Sequence, residues 1–351
     1  MPRKGMVIVT DEAHALRPCD AAASHRIANR PIVCHVLDAL HAAGASELAV
    51  VASPDALPEI RDCIDDERPE RGINYLPAEK SGSFFSSLRA GLDFVGDDPC
   101  MIHLADGVVG QPLAPLAELL RDGRPDLVLL VHNSSDKFPL RLAAKRLLGI
   151  AELDGSRLSL GLAGFCMLGP GAARLACEVA TGSESESELD FVSAAQHVVD
   201  DGGHLSVGRV RCWRRYQGDP LDLLEMNRMV LDQMMTGMQA GDDNGNRIED
   251  RVAIHPTATV ASSVILGPSV IGAGAQISDA YIGPYTSIGR DVVIEGAEIE
   301  RSIIFDGAMI MHVDGRIEGS TVGRRARIFR DFKLPRAMRL HVGEGVEVAL
   351  S

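Results

Sequence analysis

Residues 10–18 read "TDEAHALRP" and place Asp11, Glu12 and His14 within a short stretch that follows the apolar run "MVIV". Two carboxylates and an imidazole so close together are a ligand set for a divalent ion or an acid–base pair. Asp106, in "LADG", offers a further carboxylate just beyond the apolar segment "CMIHLAD". His103 precedes it by an odd separation, so on a strand the two side chains would face opposite ways and His103 would be a packed histidine. The plainer reading is that Asp11 and Glu12 are solvated loop residues and His14 caps a local turn.

The elements that would position these groups alternate. "MVIV", 46–53, 73–77, 100–106 and 126–133 read as strands, with helices at 31–43, 56–64, 83–95 and 115–122 between them. In the helix at 31–43, Ile32, Val36, Leu37 and Leu40 share one face. This is a doubly wound, mostly parallel α/β sheet, and such sheets bind ligands beyond the carboxyl ends of their strands. The loops after Thr10 and at Asp106 both leave such ends. Residues 222–238 read as a helix whose methionines (Met226, Met229, Met234, Met235, Met238) would pack a core or an oligomer contact. Residues 239–251 are polar and read as a linker between a first domain, 1–238, and a second, 252–351.

In the second domain the period changes. Ile254, Val260, Leu266, Ile271, Ile277, Ile282, Ile288 and Ile294 recur every five or six residues, several just before a glycine. Hexapeptide repeats with one aliphatic per segment and small residues at corners describe a left-handed parallel β-helix, three segments to a coil.

Composition narrows the function classes. A formal net charge of −14 opposes general binding to nucleic acid or to an anionic membrane. No apolar run reaches the roughly 18 residues that a membrane span needs. The 7 cysteines are scattered without a C-x-x-C pair, which fits reduced thiols and a cytoplasmic setting.

Several segments carry a family resemblance: "LRP" (16–18), "NRPIVCHVLDAL" (29–40), "LDLLEMNRMVLD" (221–232), the hexapeptide coils, and the tail "STVGRRARI…LPRAMRLHVGEGVEV". Together they resemble the sugar-1-phosphate nucleotidyltransferases, in particular the long-form glucose-1-phosphate thymidylyltransferases. The resemblance implies an in-line reaction. A sugar phosphate oxygen attacks the α-phosphorus of a nucleoside triphosphate, pyrophosphate leaves, and the protein supplies position, cations and Mg²⁺. It also implies a Gly-Gly-x-Gly-Thr-Arg loop around the triphosphate, two Asp residues on the metal, and a Glu-Lys-Pro turn on the sugar phosphate.

Here those motifs change. Counting back from Arg17-Pro18, the loop glycines become Thr10, Asp11 and Ala13, its Thr becomes His14 and its Arg becomes Ala15. Acid groups in that cradle repel phosphate. Residues 156–165 run through without the Glu-Lys-Pro turn. In "WRRYQG" (213–218) the second metal Asp is replaced by Arg215 or Tyr216, while Asp106 keeps the place of the first. Removing one oriented charge from a transition state costs about 3–4 kcal/mol, and several are missing together.

The expected function is therefore a nucleotidyltransferase-fold protein that has lost NDP-sugar pyrophosphorylase activity. It would act as a non-catalytic partner or regulatory subunit, or run different chemistry through Asp11, Glu12, His14 and Asp106 in the old pocket. The alternative is a divergent transferase that makes an NDP-sugar or NDP-cyclitol, with Arg17, Arg26, Lys80, Arg214 and Arg215 on phosphate and Mg²⁺ at Asp106. An acyltransferase site on the β-helix has no supporting cluster, since His255 and His312 are isolated. No cofactor is otherwise implied. The expected partners are further copies of the chain, an active nucleotidyltransferase homologue, or a small phosphorylated ligand.

Overall fold

The computed structural model describes residues 3–9, 22–68, 72–78, 84–118, 126–134, 140–143, 146–150, 159–174, 198, 200–234 and 245–330. The chain divides into two compact units, with the boundary in sequence between Gln233 and Met234.

In the first unit, β1 (Lys4–Ile8) is the central strand. Met6, Val7 and Ile8 are all fully buried, so both faces are covered, as in the interior strands of parallel sheets. A hairpin of β2 (Arg26–Ile27) and β3 (Arg30–Pro31) leads into α1 (Ile32–Ala42). Ile32, Val36, Leu37 and Leu40 of α1 are buried, as their spacing requires. There follow β4 (Glu47–Ala52), α2 (Leu57–Glu67), β5 (Ile73–Pro77), α3 (Phe84–Ala90) and β6 (Cys100–Leu104). β7 (Gly107–Val109), β8 (Leu127–Ser134), β9 (Leu140–Ala143), β10 (Arg146–Ile150) and β11 (Ser159–Leu168) come next. β12 (Leu205–Arg209), β13 (Trp213–Arg215) and α4 (Pro220–Asp232) complete the unit.

The nine-stranded sheet runs β10-β9-β11-β6-β1-β4-β5, with β8 paired to β11 and β12. β1 pairs in parallel with β4 and β6, and Ile8 lies opposite both Val51 and Leu104. β11 lies antiparallel to β6, the departure that makes the sheet mixed. Because β1 and β6 end level, the chain leaving Val9 departs beside the turn that holds Asp106. Residues 10–18 themselves lie outside the described residues.

α4 starts earlier and stops sooner than the periodicity suggests. The Asp219 carboxylate accepts from Leu221 N–H at 2.9 Å and Pro220 stands in the first turn. Met226 and Met229 are buried in this unit's own core, while Met235 and Met238 lie outside the described residues.

The second unit is a stack of short parallel strands in three five-stranded sheets, a left-handed parallel β-helix. Its first strand, Arg247–Glu249, falls inside the stretch read as a linker and pairs with Val264–Leu266. Three interior ladders fill the prism. One is Ile248, Ile265, Ile282, Ile299 and Ile317. The second is Ile254, Ile271, Ile288, Ile304 and Val322. The third is Val260, Ile277, Ile294, Ile310 and Ile328. In the early coils rungs fall 17 residues apart, as Ile265 opposite Ile282. That register places Ile265, and not the expected Leu266, inside the prism, since adjacent strand residues face opposite ways. Corners are left-handed turns occupied by Gly274, Asp291, Gly307 and Arg325 in one column and by Asp279, Gly296 and His312 in another. Glycine adopts such angles without steric cost and Asp tolerates them, so the corners are less uniformly small than the repeat suggests.

The register yields a direct test. Ile265→Ala should lower the free energy of unfolding by about 2–5 kcal/mol, and Leu266→Ala by less than half as much, in urea melts of the two variants. Equal losses would contradict the assigned register.

Candidate functional site

Asp106 sits in the two-residue turn between β6 and β7, and it is almost fully buried. What reaches it comes from β13, which pairs antiparallel with β7 so that Trp213 lies opposite Val109 and Arg215 opposite Gly107. Trp213 and Arg215 are two apart on a strand, so both side chains point to the same face. That face is the carboxyl end of the sheet. The Arg215 Nε donates to Asp106 Oδ2 at 2.9 Å, with the two side chains 9% and 2% exposed. The Tyr216 N–H donates to the Asp106 carbonyl at 2.9 Å and continues the ribbon.

Trp213 explains why the ribbon sits where it does. An added Cβ on Gly107 would stand 2.1 Å from the indole Cη2, and one on Gly164 would stand 2.6 Å from Cζ2. The benzene edge of the indole therefore occupies a slot that exists because two neighbouring positions lack side chains. His103 and Phe165 line the same place, with the His103 ring 5.7 Å from Trp213 and 5.6 Å from Phe165. His103 is packed, as expected, but not on a face turned away from Asp106: it lies against Trp213, and the Asp106 charge acts on it. Burial pushes its pKa down to about 4, against the opposing pull of a contact with the Leu104 carbonyl and of the Asp106 charge. It is neutral near pH 7.

Tyr216 is buried with its ring 4.6 Å from that of His25. Burial, with Asp222 and Asp219 nearby, raises its pKa. Asn227 of α4 is buried as well, and its Oδ1 accepts from Ala28 N–H at 2.8 Å. That bond pins the β2–β3 hairpin, whose turn residues Ala28 and Asn29 both have positive φ, onto α4.

Of the basic residues singled out in the sequence, the three described ones, Arg26, Arg214 and Arg215, each face an acidic partner. Arg26 pairs with Glu67 at 2.9 Å and donates to the Asn29 carbonyl at 2.8 Å. Arg214 is half-exposed on the opposite face of β13 and lies 3.6 Å from Asp222. Arg215 is committed to Asp106. Asp11, Glu12, His14, Arg17 and Lys80 lie outside the described residues. Sequence reasoning missed Trp213, Gly107, Gly164 and Asn227 as determinants of the site. The available signal was a chain with a single tryptophan placed next to two arginines, and a glycine inside an otherwise apolar strand.

The family resemblance implies a divalent ion at Asp106, and the residues present do not fit one. A guanidinium already faces the carboxylate. Among the described residues no three His, Cys, Asp or Glu side chains come together to hold an ion.

The architecture is that of a nucleotidyltransferase-like α/β domain followed by a β-helix. Residues 23–161 match the MobA-like NTP transferase domain, so the first unit carries a nucleotidyltransferase domain. It is 28% identical over 99% of its length, and 99% of theirs, to glucose-1-phosphate thymidylyltransferases of Streptomyces griseus and Streptomyces antibioticus. It is 27% identical to a low-salt glycan biosynthesis nucleotidyltransferase of Haloferax volcanii, over 99% of this chain and 100% of that one. A solved structure of a putative glucose-1-phosphate thymidylyltransferase from Bacillus anthracis, in complex with a sucrose, shares the fold. Its TM-score is 0.57 at 14% identity, covering 67% of this chain and 98% of that one.

The slot makes a testable demand. In Gly164→Ala the indole must move, so stability should fall by about 1–3 kcal/mol, the usual cost of overpacking. The emission of Trp213, the one tryptophan, should shift to the red. An unchanged spectrum and melting curve would show that the indole does not sit between the glycines.

Proposed function

We propose that this chain keeps the nucleotidyltransferase fold without the Mg²⁺-dependent pyrophosphorylase reaction of its relatives, and serves as a non-catalytic partner. The observation that carries the reading is the buried ion pair between Asp106 and Arg215. Transfer of a nucleotidyl group develops negative charge on the α-phosphate and on the departing pyrophosphate, and a divalent ion normally disperses it. Here the carboxylate that would seat the ion is neutralised internally. The loss of one such charge costs about 10²–10³ in rate. The substitutions at Thr10, Asp11, Ala13 and Ala15 add to it. The partner is a second copy of this chain or an active nucleotidyltransferase homologue, met in a reducing cytoplasm where the buried thiols of Cys34, Cys100 and Cys166 stay reduced.

A second reading is favoured by the full-length similarity to named transferases. In it the chain makes an NDP-sugar or NDP-cyclitol with a rearranged site.

The two separate in one assay. Purified protein is incubated with Mg²⁺, glucose 1-phosphate or a cyclitol phosphate, and each common nucleoside triphosphate in turn, and pyrophosphate is counted. The leading reading expects no release above the no-enzyme blank. Sustained release that stops on chelation would establish the second.

A further inference from the structure

We infer that the Arg215 guanidinium is a built-in substitute for a divalent cation at Asp106, and that a carboxylate at position 215 would turn the same place into a cation site. The inference deepens the reading above by saying what the substitution does physically, and it rests on that reading only for its biological sense.

Four observations converge. First, the counter-charge to Asp106 comes from a buried side chain, with Arg215 9% and Asp106 2% exposed. A carboxylate so placed needs a cation, because an isolated buried charge is strongly disfavoured. Second, position 215 is fixed by more than its own ion pair. Trp213 is held in the Gly107–Gly164 slot, Arg215 is registered opposite Gly107, and Tyr216 N–H is bonded to the Asp106 carbonyl. The ribbon would therefore deliver whatever side chain stands at 215 to the same spot. Third, Arg214 points to the other face and lies against Asp222, so it does not compete for Asp106. Fourth, the Arg26 guanidinium is held by Glu67 and the Asn29 carbonyl. Two carboxylates delivered by adjoining strands are a donor set for a hard divalent ion completed by water.

The only tryptophan stands two residues from position 215 on the same face of the strand, which supplies the readout. Tb³⁺ bound at Asp106 would be excited through Trp213 by light at the red edge of the indole absorption, where the 4 tyrosines do not absorb and ions beside them stay dark. The experiment titrates Tb³⁺ into the full-length wild type, Arg215→Asp, Arg215→Asn, and the Arg215→Asp/Asp106→Asn double variant. Circular dichroism is recorded with and without Mg²⁺.

The wild type should show no saturable sensitised emission. Arg215→Asp should gain it, with displacement by excess Mg²⁺ or Mn²⁺, and its melting temperature should rise with added Mg²⁺. Arg215→Asn should bind more weakly than Arg215→Asp, and the double variant should be dark. Saturable emission from the wild type would overturn the inference, because the seat would then be open to an ion. A folded Arg215→Asp that stays dark would overturn it as well. So would failure of both single variants to fold at any Mg²⁺ concentration, since an ion could then not replace the guanidinium. Pyrophosphate release is independent of these outcomes. An inactive wild type that binds Tb³⁺ would refute this inference alone, and an active wild type that excludes Tb³⁺ would refute only the reading above.

Discussion

A buried carboxylate must be answered by a positive charge, and in this molecule the answer is covalently part of the chain. Asp106 lies at the carboxyl end of β6, the place where a mixed α/β sheet exposes its strand ends to ligand. Its charge is met by Arg215. Readiness for a metal-bound triphosphate at Asp106 turns on that contact. A guanidinium is permanent, planar and unable to leave. A hydrated ion exchanges and can be shared with phosphate oxygens. On the proposed reading, replacing one by the other keeps the fold neutral at this point and removes the group that would bridge protein and substrate.

The contact depends on geometry that reaches well beyond the pair. Gly107 and Gly164 leave room for the Trp213 indole, the indole fixes β13 against β7, and the pairing register sets Arg215 over Asp106. Below them His103 packs neutral against Trp213 and Phe165. Asn227 joins α4 to the hairpin at Ala28. The β-helix is organised on a different rule. Its three ladders bury one aliphatic per strand, each coil covers the next, and no coil holds together alone.

Both architectures were legible in the sequence because both rest on periodicity. The α1 face of Ile32, Val36, Leu37 and Leu40 and the recurrence of aliphatics after residue 250 are patterns that survive without tertiary knowledge. The register slip at Leu266 shows the limit. Two adjacent aliphatics are equivalent in a spacing count, and only the opposite coil, through Ile282, selects Ile265. The strand at Arg247–Glu249 is hard to see in the sequence for a related reason. "NRIED" is polar, and a terminal strand carries a single interior side chain, Ile248, too little to register as a pattern. At the site, Asp106 stands out in the sequence by its place after an apolar strand. The family resemblance leaves Arg215 or Tyr216 in place of a second carboxylate, but the pairing of Arg215 with Asp106 is not legible there. Pairing partners more than 100 positions apart leave no trace in local spacing.

The account is tested most directly by locating manganese. Crystals of the wild-type protein grown with Mn²⁺ and a nucleoside triphosphate should give no anomalous peak at the Asp106 carboxylate, with Arg215 still seated against it. A strong manganese peak there, with the guanidinium swung aside, would contradict the claim at its root.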